Sequence, residues 1–162
     1  MQLRPSQPRR TIATTAAAVL ALATLSSCGF DYATERDYTP AGGANARDGS
    51  VDVLSAVVVS AEDGSGTFVA SLANNDLDEG QTFTALAGGE GTTVSADFEP
   101  VEIGPGGFVN LAEPPAEIVV TGDFGAGDFV PLSVDFGNGE RVAVEVPVVP
   151  DDSGYWEGMD AS

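Results

Sequence analysis

The side chains able to do covalent or acid–base chemistry are few in kind. The 162-residue sequence has no histidine, one cysteine at Cys28, and six cations that are all arginine. Without an imidazole, Ser-His-Asp and Cys-His nucleophile systems are excluded, and so is the commonest transition-metal ligand. Serine and threonine have no evident base. Carboxylates remain, with Asp76, Asp78 and Glu79 close together in one stretch and Asp123 and Asp128 in another. Two carboxylates facing each other across a deep cleft can cleave a glycosidic bond. Clustered carboxylate oxygens can also hold calcium, but these runs, and Asp151-Asp152, lack the loop order of an EF-hand. Solvated acidic turns are the expected role, with no catalytic residue, no metal ligand and no cofactor. The glycine-rich stretch 122–127 has neither the phosphate-loop spacing nor its following lysine.

The thiol is placed for a different chemistry. Arg4, Arg9 and Arg10 precede an uncharged, largely apolar run over residues 11–25, with no acid before Asp31. A basic start and a short apolar run form the pattern of an export signal, and the run is short for a span that needs about 20 apolar residues. Leu25-Ser26-Ser27-Cys28 then resembles the bacterial lipobox: an aliphatic residue, two small residues and a cysteine. The resemblance implies a diacylglyceryl thioether on Cys28 and cleavage before it. The expected address is the extracytoplasmic face of the cell membrane, reached through that lipid. Two acyl chains suffice for stable anchoring.

All 25 acids follow the cleavage point, and only Arg36, Arg47 and Arg141 oppose them, so the processed chain carries a formal charge of −22. Such a surface repels nucleic acid and anionic lipid head groups. Acids alternating with Val, Ile, Leu and Phe indicate a folded domain with a charged exterior rather than a disordered chain.

The elements that must position any site read as strands. Residues 51–59, 67–73, 82–87, 92–98, 107–111, 117–121, 129–136 and 140–149 are short and β-branched or alternating, with glycine, proline or acidic turns between them. Gly137-Asn138-Gly139 is a strong hairpin signal between the last two. No segment after the signal sustains helical periodicity, and short regularly spaced strands indicate an antiparallel sandwich or barrel. The expected core is Val53, Val57, Val59, Phe68, Leu72, Phe83, Val94, Val109, Leu111, Val119, Leu132, Val134, Phe136, Val142, Val144 and Val146. The expected organisation is a signal peptide over 1–27, a flexible lipid-anchored tether over 28–50, a β-sandwich domain over 51–149 and an acidic flexible tail over 150–162. The Tyr155-Trp156 pair in that tail leaves open whether it docks on the domain or on a partner.

Four patches carry a wider resemblance: residues 45–54, 65–75, 101–107 and 127–139, the last reading Gly-Asp-Phe-Val-Pro-Leu-Ser-Val-Asp-Phe-Gly-Asn-Gly. Over about residues 45–149 the chain resembles actinobacterial lipoproteins of the LpqE type, and through them the PCu(A)C copper chaperones. The implied fold is an all-β, cupredoxin-like Greek-key sandwich of about seven to eight short antiparallel strands. The chaperones bind Cu(I) through a His and Met set closing with a His-x-Met pair, which falls here on Glu117 and Val119. Soft Cu(I) selects imidazole and thioether, which Glu and Val do not supply. The resemblance therefore implies a scaffold without its metal site. The expected role is a non-catalytic accessory or scaffolding lipoprotein with a protein partner in a respiratory or envelope complex, such as the bcc–aa3 supercomplex. The alternatives are a degenerate copper-handling protein assisting oxidase assembly and an envelope binding module for an unknown ligand.

Overall fold

The structure is a computed structural model that describes residues 42–152 and 154–162. Cys28, with Leu25, Ser26 and Ser27, lies outside the described residues, as does most of the expected tether. Ten strands follow one another: β1 (Ala44–Ala46), β2 (Val51–Ser60), β3 (Ser65–Asn74), β4 (Gln81–Gly88), β5 (Val94–Ala96), β6 (Val101–Ile103), β7 (Phe108–Asn110), β8 (Val119–Gly122), β9 (Phe129–Phe136) and β10 (Arg141–Pro150). A single 3-10 turn, Gly154–Trp156, closes the chain. Among the described residues no helix is long and apolar enough to cross a membrane.

The strands form two layers. One runs β5-β8-β3-β2, with β1 on the edge of β2 and β7 beside β3; the other runs β10-β9-β4-β6. Strand β10 belongs to both. Its residues Arg141 to Pro147 pair antiparallel with β9, and Val148 to Pro150 then run parallel to Val58 to Ser60 of β2. Among the described residues this is the one parallel pairing in an otherwise antiparallel fold, and it makes the two layers one curled sheet. The all-β sandwich is as the sequence indicates. Strands β1 and β6 are additions to the expected set, and at three residues each they are too short to show an alternating pattern.

The layers close on an aromatic centre. Phe83 is fully buried, with ring centroids 4.6 Å from Phe98, 6.2 Å from Phe136 and 6.3 Å from Phe68. The hairpin between β9 and β10 turns as its Gly-Asn-Gly predicts, with Gly139 at φ 85°. Positive φ costs an L-residue but not glycine.

A bulge in β2 divides the expected core into two buried clusters. Val53 faces Leu72 and Val57 faces Val69, so β2 spends one more residue than β3 between those pairs. The extra residue is Ser55, exposed and at φ 52°. A bulge reverses which side chains face which way. Val53, Ala56 and Val58 therefore enter the main core, whereas Val57 and Val59 face outward with Val69. Strand β8 shows a similar shift: Ile118 and Val120 are fully buried and Val119 only half-buried. Glu117, at φ 49°, turns the chain just before it.

Both ends of the domain also differ from expectation. The assigned tether reaches too far, because Ala44 and Ala46 pair with Ala56 and Val53 of β2. The tail is not solvated along its length. Trp156 and Met159 pack over Val57, Val59 and Val69, covering the face that the bulge turns outward. A strand buried on both faces reads as a continuous apolar run, which Val57-Val58-Val59 is.

Candidate functional site

The carboxylates serve local structure. The Asp76 carboxylate accepts from the backbone N–H of Asp78 at 2.9 Å and of Glu79 at 3.0 Å, and these bonds hold its pKa below the ordinary value. Buried Asn74 supports the same turn, donating to the carbonyls of Glu79 and Gly104 at 2.8 and 3.1 Å. Asp123 and Asp128 line an open hollow with Asp63, where Asp128 accepts from the N–H of Gly125 at 2.9 Å. Among the described residues no three His, Cys, Asp or Glu side chains converge as a metal site.

Val119 opens β8 and is half-buried, and Glu117, two residues before the strand, is exposed. Glu117 borders a hollow of about 660 Å³ together with Thr67, Val69, Leu111 and, from the far end of the chain, Met159 and Asp160. The fold thus brings Met159, from the far end of the chain, into the same hollow as Glu117. Asp160 is committed elsewhere, accepting from the N–H of Ala61 at 2.8 Å and from the Thr67 hydroxyl at 3.0 Å.

A second surface is apolar. Strand β7 pairs only with β3. Gly107 and Leu111 exchange backbone bonds with β3, so the alternation of an antiparallel ladder turns the N–H groups of Phe108 and Asn110 to the open side. Along that side Val101, Phe108, Leu111, Pro114 and Pro115 line a groove of about 390 Å³, with Glu113 at its rim. Phe108 is 62% exposed and Leu77 80% exposed, and Leu77 leans on Gly106, two residues before Phe108. The sequence reading missed this surface. The expected core positions Val109 and Leu111 set Phe108 on the opposite parity, but only the pairing of β7 with β3 leaves that side an open edge.

No known protein-family model and no curated protein matches the sequence. Solved structures do match. The apo PCuAC domain from PmoF1 superposes with a TM-score of 0.53 at 17% identity, covering 65% of this chain and 98% of that one. The copper-bound PCuAC domain from PmoF2 gives a TM-score of 0.53 at 12% identity, over 65% and 97% of the two chains. Its apo form gives 0.52 at 13%, over 68% and 97%. The chain has the PCuAC fold. Likeness at this identity speaks for the scaffold alone.

The residues present do not fit copper. The chain contains no imidazole, and the hollow beside β8 offers one thioether, from Met159, among the carboxylates of Glu117, Glu157 and Asp160. Hard oxygen donors do not select Cu(I).

Proposed function

We propose that this chain is a non-catalytic lipoprotein, anchored through Cys28 at the outer face of the cytoplasmic membrane, in which a PCuAC-type sandwich serves protein contact. What supports the reading is the chemistry of the retained scaffold: the sequence has no histidine, and the resemblance puts Glu117 and Val119 at the chaperones' His-x-Met pair. The lipobox residues Leu25, Ser26 and Ser27 support the anchor.

The contact surface of this reading is the β7 edge. Phe108 and Leu77 offer apolar anchors, and an unpaired strand edge can accept an extended segment. Charge selects the partner. Among the described residues the cations are Arg47 and Arg141, and Arg141 is held by Asp135 through Nε at 2.7 Å and Nη2 at 2.8 Å. The fitting partner is a basic extracytoplasmic segment of a membrane protein, and the LpqE-type resemblance favours subunits of the bcc–aa3 supercomplex.

The test is a mild-detergent pull-down of the tagged chain from its native membranes, beside a Phe108→Glu variant. Stoichiometric oxidase and cytochrome bc subunits that are lost with the variant would support the reading. Recovery of background proteins only, or equal recovery with both chains, would refute it. The fold likeness favours one second reading, a copper-handling protein assisting oxidase assembly, which requires that the chain hold Cu(I).

A further inference from the structure

The sequence motif Gly42-Gly43, which reads as linker filler, is fitted between two parts of the fold. A Cβ on Gly42 would stand 3.0 Å from Cζ2 of Trp156 and 3.8 Å from its Nε1, so the indole lies over this residue. A Cβ on Gly43 would fall within the backbone of Ser55 and 2.8 Å from the Ala56 carbonyl oxygen. Close approach to backbone requires glycine at Gly43, whereas a Cβ on Gly42 would push the Trp156 indole back by a few tenths of an ångström. The two surfaces have separate origins: Ser55 is the bulge of β2, and Trp156 belongs to the C-terminal segment.

That segment is fastened at several points. Asp151 accepts from the N–H of Met159 at 2.8 Å. Asp160 reaches Ala61 and Thr67, and the Thr67 hydroxyl accepts from the N–H of Ala161 at 2.7 Å. Trp156 and Met159 fill the outer apolar patch of Val57, Val59 and Val69. Beyond the seated Gly42, Asn45 accepts from the N–H of Ser55 at 3.0 Å.

We propose that residues 154–162 form a strap that clamps Gly42-Gly43 against the β2 bulge and so fixes the point where the membrane tether joins the sandwich. This deepens the anchored reading and rests on it. With the clamp closed, 13 residues separate Cys28 from Gly42. The clamp holds the chain from Gly42 onward, eight residues before Ser50.

The experiment uses the full lipidated chain in vesicles. Amide exchange is followed at residues 44–46 and Ser55, with Val134 and Val142 of the β9–β10 hairpin as the internal reference. Trp156→Ala is expected to speed exchange at 44–46 and Ser55 by about tenfold or more while leaving the hairpin unchanged. Gly42→Val should do the same and red-shift the emission of the lone tryptophan. Energy transfer from a dye on Ala143→Cys to labelled lipid head groups should broaden in both variants. Unchanged exchange at 44–46 and Ser55 in Trp156→Ala, or wild-type emission typical of a fully exposed indole, would overturn the clamp. A Cys28→Ser chain separates the two claims: if it stays on the membrane the anchored reading fails, while exchange at the clamp still reports on the strap.

Discussion

Ser50 and Glu140, ninety residues apart, are joined by three hydrogen bonds into one carboxylate. The backbone N–H of Ser50 donates to both Glu140 oxygens, at 2.9 and 3.1 Å, and its hydroxyl donates to Oε2. Asn138 in the hairpin turn adds a bond to the Ser50 hydroxyl at 3.2 Å. The turn between β1 and β2 is thereby tied to the turn between β9 and β10.

The tie is pH-sensitive in a defined sense. The Ser50 hydroxyl foremost, then the Ser50 and Asn138 N–H groups, hold Glu140 below its ordinary pKa against a modest cost of burial. Asp135 is lowered likewise, chiefly by Arg141. A depressed carboxylate contributes stability that is present above the unfolded value, about 4, and is lost as pH falls through the folded one. Melting temperature should therefore fall as pH drops below about 4, and Glu140→Gln should flatten that fall while lowering the plateau at neutral pH. A calorimetric pH series on both chains measures it; identical profiles would contradict the assignment.

Ser55 and Glu117 hold positive φ without being glycine, and both side chains are exposed. The left-handed conformation costs an L-residue about 1 kcal/mol. Ser55→Gly and Glu117→Gly are each expected to stabilise the domain by about that amount in urea denaturation. Deleting Ser55 has the opposite expectation, because it would turn Val57 and Val59 inward and Val58 outward.

Phe83→Ala removes the ring on which Phe68, Phe98 and Phe136 converge. Truncation of a buried phenylalanine costs about 3–5 kcal/mol. For a domain of this size the loss should be visible as a large drop in the denaturation midpoint, whereas Phe108→Glu on the open edge of β7 should leave the midpoint nearly unchanged.

Copper separates the two functional readings. Titration of the reduced protein with Cu(I) against a chromophoric chelator should leave the metal with the chelator, and Met159→Leu should change nothing. Retention of one Cu(I) per chain, lost in Met159→Leu, would restore the copper-handling reading.

Repulsion among the acids gives a last expectation. With a formal charge of −22 over residues 28–162, added salt should raise the melting temperature as screening shortens the range of like-charge repulsion. A melting temperature independent of salt between low and physiological ionic strength would show that the acids are locally compensated.

Much of this protein is written locally. Eight of the strands and the hairpin between β9 and β10 follow from β-branched runs and turn residues, because side-chain alternation and turn chemistry act over a few neighbours. The absence of imidazole is a property of composition alone, and it bounds the chemistry before any fold is known. The resemblance of Leu25-Ser26-Ser27-Cys28 to a lipobox likewise rests on residue order alone.

Tertiary structure decided the rest. Alternation says which residues of a strand share a face, but not where one extra residue reverses the faces, so Val57 and Val59 read as sharing one core with Val53 until Ser55 is seen as a bulge that sends them to a second buried cluster. The cover over those valines comes from Trp156 and Met159, about a hundred residues away, and Trp156 in turn lies over Gly42, in a glycine pair that resembles a linker. Neither partner carries a local signal for the other. Their meeting depends on β10 delivering the C-terminus beside β2, which only the pairing of Val148 with Val58 brings about.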